Sequence, residues 1–152
     1  MNRGKATVED NSTNTRPRFH LAFPVHDLEA ARHFYSDILG CTEGRASAQW
    51  EDFDFHGHQI VAHLVREPVS TDAINQVDGD AVPVRHFGLI LNWSEWELLR
   101  SRLEAAEVCF LIEPRIRFEG EPGQQATMFV RDPSGNALEF KAFRDERQIF
   151  AS

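Results

Sequence analysis

The chain repeats itself. Phe19-His20-Leu21-Ala22-Phe23 and His86-Phe87-Gly88-Leu89-Ile90 are two short apolar runs whose histidines stand 66 residues apart. Each run leads into a capping residue and an amphipathic stretch, and each half closes on strands with a potential chelator, His63 in the first and Glu139 in the second. A unit of about 60 to 70 residues does not bury its apolar face alone, so the two copies are expected to share a core. The 152 residues suit one such pair, and the fold is restricted to two similar layers built from the same plan.

Within the first half, Arg18 to Val25 alternates, with Phe19, Leu21, Phe23 and Val25 on one face and Arg18, His20, Ala22 and Pro24 on the other. Asp27 is placed to cap a helix over Leu28 to Leu39, whose Leu28, Ala31, Tyr35 and Ile38 form an apolar stripe that Gly40 ends. Gln49 to Phe55 and Gln59 to Val65 read as strands joined at His56-Gly57-His58. Arg66 to Val84 reads as a long connection.

The second half follows the same order. His86 to Leu91 is a strand, Ser94-Glu95-Trp96-Glu97 a capping box, and the helix it opens runs to about Ala106. Val108 to Ile112, Gln125 to Arg131 and Asn136 to Phe143 are strands, with Glu113 to Gly123 a polar loop and Asp132-Pro133-Ser134-Gly135 a turn. The pattern is α+β: two tandem βαβββ modules, about 18–66 and 84–145, in one domain over 18–152 that forms an incomplete mixed β-barrel. Residues 1–17, polar and almost without hydrophobes, are expected to be a disordered arm.

A net charge of -8 with no basic block excludes a phosphate-tracking surface, so nucleic acid is not an expected partner. No apolar run approaches the roughly 20 residues of a spanning helix, and the start lacks a signal-peptide pattern, so a cytoplasmic protein away from membranes is expected. Cys41 and Cys109 are unpaired in sequence and read as packed thiols. No phosphate-binding glycine motif and no nucleophile elbow occur.

The chemistry lies in the repeat. His20 and His86 take matching polar-face positions on equivalent strands, and Ala22 and Gly88, two residues on, leave space beside them. Glu139 stands between Leu138 and Phe140; if those two enter the core, its carboxylate faces away from it and needs a partner such as a divalent cation. Two imidazoles and one carboxylate form a facial triad that leaves positions open for substrate and oxygen or water. His63, read as the first-half counterpart of Glu139, is either a fourth ligand or a general acid or base. His26, His33, His56 and His58 read as surface or turn residues. Phe53, Phe55, Phe118 and Phe129 are candidates to line an apolar pocket, and Arg115 and Arg117, in the loop after Pro114, read first as solvated charges and otherwise as partners for a substrate carboxylate.

Three segments resemble the vicinal oxygen chelate superfamily, which includes glyoxalase I, fosfomycin and bleomycin resistance proteins and extradiol dioxygenases. They are His20-Leu-Ala-Phe-Pro-Val with Asp27 to Gly40, then Val84-Arg-His86-Phe-Gly, then Phe129-Val-Arg-Asp-Pro-Ser-Gly-Asn-Ala-Leu-Glu139-Phe. The resemblance implies metal ligation by His20, His86 and Glu139, with His63 at the remaining place. Dioxygenase-like members use three ligands with Fe(II) or Mn(II); glyoxalase-like members use four, with Gln or Glu where His63 stands, and take Zn or Ni. The resemblance also implies a small-molecule substrate that chelates the metal through vicinal oxygens, and often a homodimer. The expected activity is that of a dioxygenase-like oxidoreductase, with His63 moving a proton. The alternatives are a glyoxalase-type lyase or isomerase with four protein ligands, and a metal-free drug-binding resistance protein.

Overall fold

The computed structural model describes residues 16–67, 69–70 and 73–152. Most of the expected N-terminal arm lies outside the described residues. The first module runs β1 (His20–Val25), α1 (Leu28–Arg32) continued by a π-helical segment (His33–Ile38), β2 (Thr42–Ala46), β3 (Trp50–Phe55) and β4 (His58–Leu64). A hairpin, β5 (Ile74–Val77) and β6 (Asp80–Pro83), follows. The second module is β7 (His86–Leu91), α2 (Trp93–Ala105), β8 (Phe110–Arg117), β9 (Gln125–Arg131) and β10 (Ala137–Phe143).

Each module folds into one four-stranded mixed sheet, ordered β1-β4-β3-β2 and β7-β10-β9-β8, and the sheets do not close into a barrel. In both, the first and last strands pair in parallel while the rest are antiparallel. The alternation of β1 does what its sequence implies: Phe23 and Val25 are buried and His20 is exposed. Phe23, Val25, Phe53, Ile60 and Ala62 of the first sheet share one core with Tyr35 of the first helical segment and with Leu91, Trp96, Met128, Leu138 and Phe140 of the second module. The Trp96 indole donates to the Phe140 carbonyl at 2.9 Å, fixing α2 on the last strand. Arg32 grips the buried Glu51 carboxylate with two hydrogen bonds of 3.0 and 2.8 Å, tying α1 to β3. Each sheet thus spends one face on a helix and leaves the other open.

Three local expectations shift. The second helix is capped by Asn92, not Ser94: Asn92 accepts from the Glu95 amide and its own amide donates to Glu95, so the box starts two residues earlier. The expected connection contains the β5–β6 hairpin, turned by Asp78 and Gly79 at φ 48° and 85°, the left-handed pair a two-residue hairpin requires. Arg115 and Arg117 lie on strand β8 rather than in a loop; Pro114, the loop signal, is accommodated because β8 is an edge strand whose register shifts between Ile112 and Arg115. No helix among the described residues is long and apolar enough to cross a membrane.

Candidate metal centre

The open face of the second sheet holds a compact polar cluster. Glu139 is flanked by Leu138 and Phe140, 0% and 1% exposed, which drive its carboxylate to the opposite side. There it meets His86 Nε2 at 3.1 Å and accepts from the Thr127 hydroxyl at 2.8 Å, with Lys141 Nζ at 3.8 Å. His86 Nδ1 donates to the Pro83 carbonyl at 2.7 Å, which fixes the ring and turns Nε2 toward the carboxylate. Phe129 packs edge-on against the imidazole at 5.1 Å between ring centroids. Gly88 is required by close approach, because a Cβ there would run into the Glu139 backbone carbonyl. The space that sequence reasoning set aside for a ligand is therefore filled by the neighbouring strand.

Electrostatics bind the pair together. The hydrogen bond to Glu139 raises the His86 pKa above the ordinary imidazole value, against the opposing effect of partial burial. Burial alone would raise Glu139, yet the bonds from His86 and Thr127 and the charge of Lys141 bring its carboxyl below the usual range.

His20 is prepared in the same way on the other sheet. Its Nδ1 lies 2.8 Å from Gln59 Oε1, and the Gln59 amide nitrogen donates to the buried Asp52 at 3.2 Å, so the glutamine oxygen is the acceptor and His20 Nε2 is left free. Asp52, Gln59 and Thr127 form a supporting shell that sequence reasoning missed. Their only signal was polar residues on the same strand faces as the histidines and Glu139.

Within one chain the three candidate ligands do not converge. His86 and Glu139 touch, but among the described residues no three His, Cys, Asp or Glu side chains are grouped to hold a cation, so His20 stands apart from them. A cavity of about 150 Å³ opens between edge strands β1 and β7, walled by Ala22, His86 and Ala137.

Register also moves His63. Glu139 pairs with Gly88, two residues after His86; the residue that pairs with Ala22, two after His20, is Val61. His63 pairs with Pro24 and thus corresponds to Lys141, which pairs with Ile90. Val61 stands where the first half would carry a fourth ligand. His63 is exposed on the same open face, one two-residue step beyond. Of the candidate pocket aromatics, Phe53 and Phe55 are buried in the shared core and Phe118 is half exposed; Phe129 alone of the four joins the cluster. His26 and His33 are exposed as expected, and His58 accepts from the Phe19 amide at 3.0 Å.

The comparisons with known proteins agree with this fold. A structure described as glyoxalase/bleomycin resistance protein/dioxygenase from Alicyclobacillus acidocaldarius is 33% identical, covers 88% of this chain and 96% of its own, and superposes with a TM-score of 0.70. The fosfomycin resistance protein FosX from Listeria monocytogenes, 16% identical over 88% of this chain and 97% of its own, shares the fold at a TM-score of 0.66. Lactoylglutathione lyase from Agrobacterium tumefaciens does so at 0.61, with 19% identity over 92% of this chain and all of its own. No curated protein matches at a significant level. The Glyoxalase/Bleomycin resistance protein/Dioxygenase superfamily profile spans residues 19–140, and the chain belongs to that superfamily.

Proposed function

We propose that this protein is a metal-dependent, dioxygenase-like oxidoreductase whose divalent cation, Fe(II) or Mn(II), is held by His20, His86 and Glu139. The observation that carries the reading is the matched preparation of the two histidines: each has Nδ1 engaged, by Gln59 and by Pro83, which leaves Nε2 as the ligating nitrogen, and the Nε2 of His86 already meets the Glu139 carboxylate. Bound there, the cation supplies a Lewis acid and a template for oxygen and a substrate with two vicinal oxygens. Val61 in the fourth place favours this three-ligand reading over a four-ligand glyoxalase-type lyase. Because His20 stands apart from the pair and both His20 and His86 are exposed, the complete site takes His20 from one copy and His86 with Glu139 from a second, which makes the working unit a homodimer.

The side chains then divide the work. Gln59, backed by Asp52, orients His20; Pro83 orients His86; Thr127 and Lys141 hold Glu139 ionised. His63, two same-face steps along β4 from Gln59, lies roughly 13 Å from that row, beyond ligation but within reach of a bound substrate. Its role is to move a substrate proton.

The deciding experiment is anaerobic Fe(II) loading followed by oxygen-uptake assays on catechols, quinols and related diols. Uptake with one metal per site is expected; no uptake across the panel, with turnover of a hemithioacetal, would overturn the reading. His63→Ala should keep its metal and lose turnover, whereas loss of the metal would restore His63 as a ligand.

Metal uptake should also depend on pH with a definite sign. His86 must give up its proton to ligate, and its pKa in the metal-free protein is raised, so affinity climbs as pH rises past the ordinary imidazole value of about 6.5. Glu139, lowered, is already ionised there and adds no proton. Calorimetry in two buffers of different ionisation enthalpy should find a proton released on binding near that pH. A flat affinity from about pH 6 to 8 would count against His86 as a ligand.

A further inference from the structure

On the assumption that the metal site above is correct, we propose that Arg115 and Arg117 bind a carboxylate of the substrate, and that Asp78 and Asp80 of the β5–β6 hairpin occupy them until it arrives. The register places the arginines. Arg115 pairs with Thr127, Thr127 pairs with Lys141, and the Thr127 hydroxyl donates to Glu139, so Arg115, Thr127 and Lys141 lie in one row across β8, β9 and β10, one two-residue step along the same open face from Glu139. Arg117 is next on that face, opposite Gln125. Two strand spacings and one two-residue step separate Arg115 from Glu139, roughly 12 Å between backbones, a gap that an arginine side chain and a small substrate span together.

Both arginines are engaged by the hairpin, Arg115 by Asp80 and Arg117 by Asp78. The engagement of Arg115 is incomplete. Asp80 meets its Nη2, while the buried Nε has no hydrogen-bond partner among the described residues. A carboxylate presented in the guanidinium plane takes Nε and Nη2 together, the two-pronged geometry that Asp80 does not complete. A buried donor without a partner costs free energy, so an incoming carboxylate gains a bond that the resident aspartate leaves unmade. The hairpin ends at Pro83, whose carbonyl orients His86, so displacement of Asp78 and Asp80 occurs beside a proposed ligand. The ligand class is a vicinal diol, or its oxidised equivalent, bearing a carboxylate on the far side.

Two probes that differ by that group test the idea on the full-length protein loaded with Mn(II): catechol and 3,4-dihydroxybenzoate, with affinities measured by calorimetry without turnover. Wild type should favour the acid by about 10- to 100-fold, the range of one charge-assisted pair. Arg115→Ala/Arg117→Ala should erase that preference and leave catechol unchanged. Asp78→Asn/Asp80→Asn should tighten the acid alone, a gain that a damaged fold does not produce. Equal binding of the two probes by wild type, or a preference that survives loss of both arginines, overturns the proposal and spares the metal site. Failure of both diols to bind the loaded protein overturns the metal-chelate reading and this proposal with it.

Discussion

Mixing a His20→Ala chain with a Glu139→Ala chain should restore metal binding that neither has alone. Each homodimer lacks a ligand in both of its sites. In a mixed dimer, one site combines the two defects, while the other takes His20 from the Glu139→Ala chain and His86 with Glu139 from the His20→Ala chain. With random exchange about half of the dimers are mixed, each with one intact site of two, so recovery should approach about a quarter of the wild-type metal content. The expectation follows from the separation of His20 from the His86–Glu139 pair. It is specific to a shared site: if all three ligands met within a chain, every chain in the mixture would stay defective. Co-expression of differently tagged chains and metal analysis give the number, and tandem purification of the mixed dimers should raise it to about half of the wild-type content. No recovery in purified mixed dimers would remove the two-copy arrangement.

The parts of the candidate site that sequence shows and those it hides differ for a physical reason. The faces that carry His20 and His86 were legible because alternation of period two places a residue on a face, and the faces are fixed by Phe23 and Val25 in one half and Leu91 in the other. Glu139 was legible because Leu138 and Phe140 had to be buried. The correspondence of His63 with Glu139 failed by two residues, the one error that alternation cannot detect. A slip of one would have turned His63 to the wrong face, whereas a slip of two keeps the face and changes only the partner. Pairing with β1 supplies the missing coordinate, and it lies 39 residues away in sequence. The same distance hid Gln59 beside His20. Arg115 and Arg117 were hidden differently, since Pro114 is a loop signal unless the strand is an edge.

Asp132→Ala should be the most destabilising single change outside the apolar core. The turn that sequence reads only as Asp132-Pro133-Ser134-Gly135 is the joint between the modules. One Asp132 oxygen accepts from the Tyr35 hydroxyl and the Asn136 amide nitrogen, each at 2.8 Å; the other accepts from the backbone of Ser134 at 2.9 Å and of Asn136 at 2.8 Å. Asn136 also donates to the Pro24 carbonyl at 2.8 Å, and the Ser134 hydroxyl accepts from the His26 amide at 3.1 Å. Tyr35 is 0% exposed and Asp132 4%, so water does not replace what is lost. Burial, followed by the neighbouring Asp132 charge and hydrogen bond, holds the phenol pKa well above 10, so Tyr35 remains a donor. Removing the carboxylate strands Tyr35 and loosens the turn, at about 3 to 5 kcal/mol. For a chain of this size that lowers Tm by on the order of 10 °C. Tyr35→Phe removes one donor of four and should cost about 1 to 2 kcal/mol. In the double variant no hydroxyl is left stranded, so the two losses should fall short of additivity by about 1 to 2 kcal/mol. Urea denaturation at one fixed protein concentration measures all three. Strict additivity, or a cost below about 1 kcal/mol for Asp132→Ala, would mean that the modules are held by the shared apolar core and that the turn merely connects two strands.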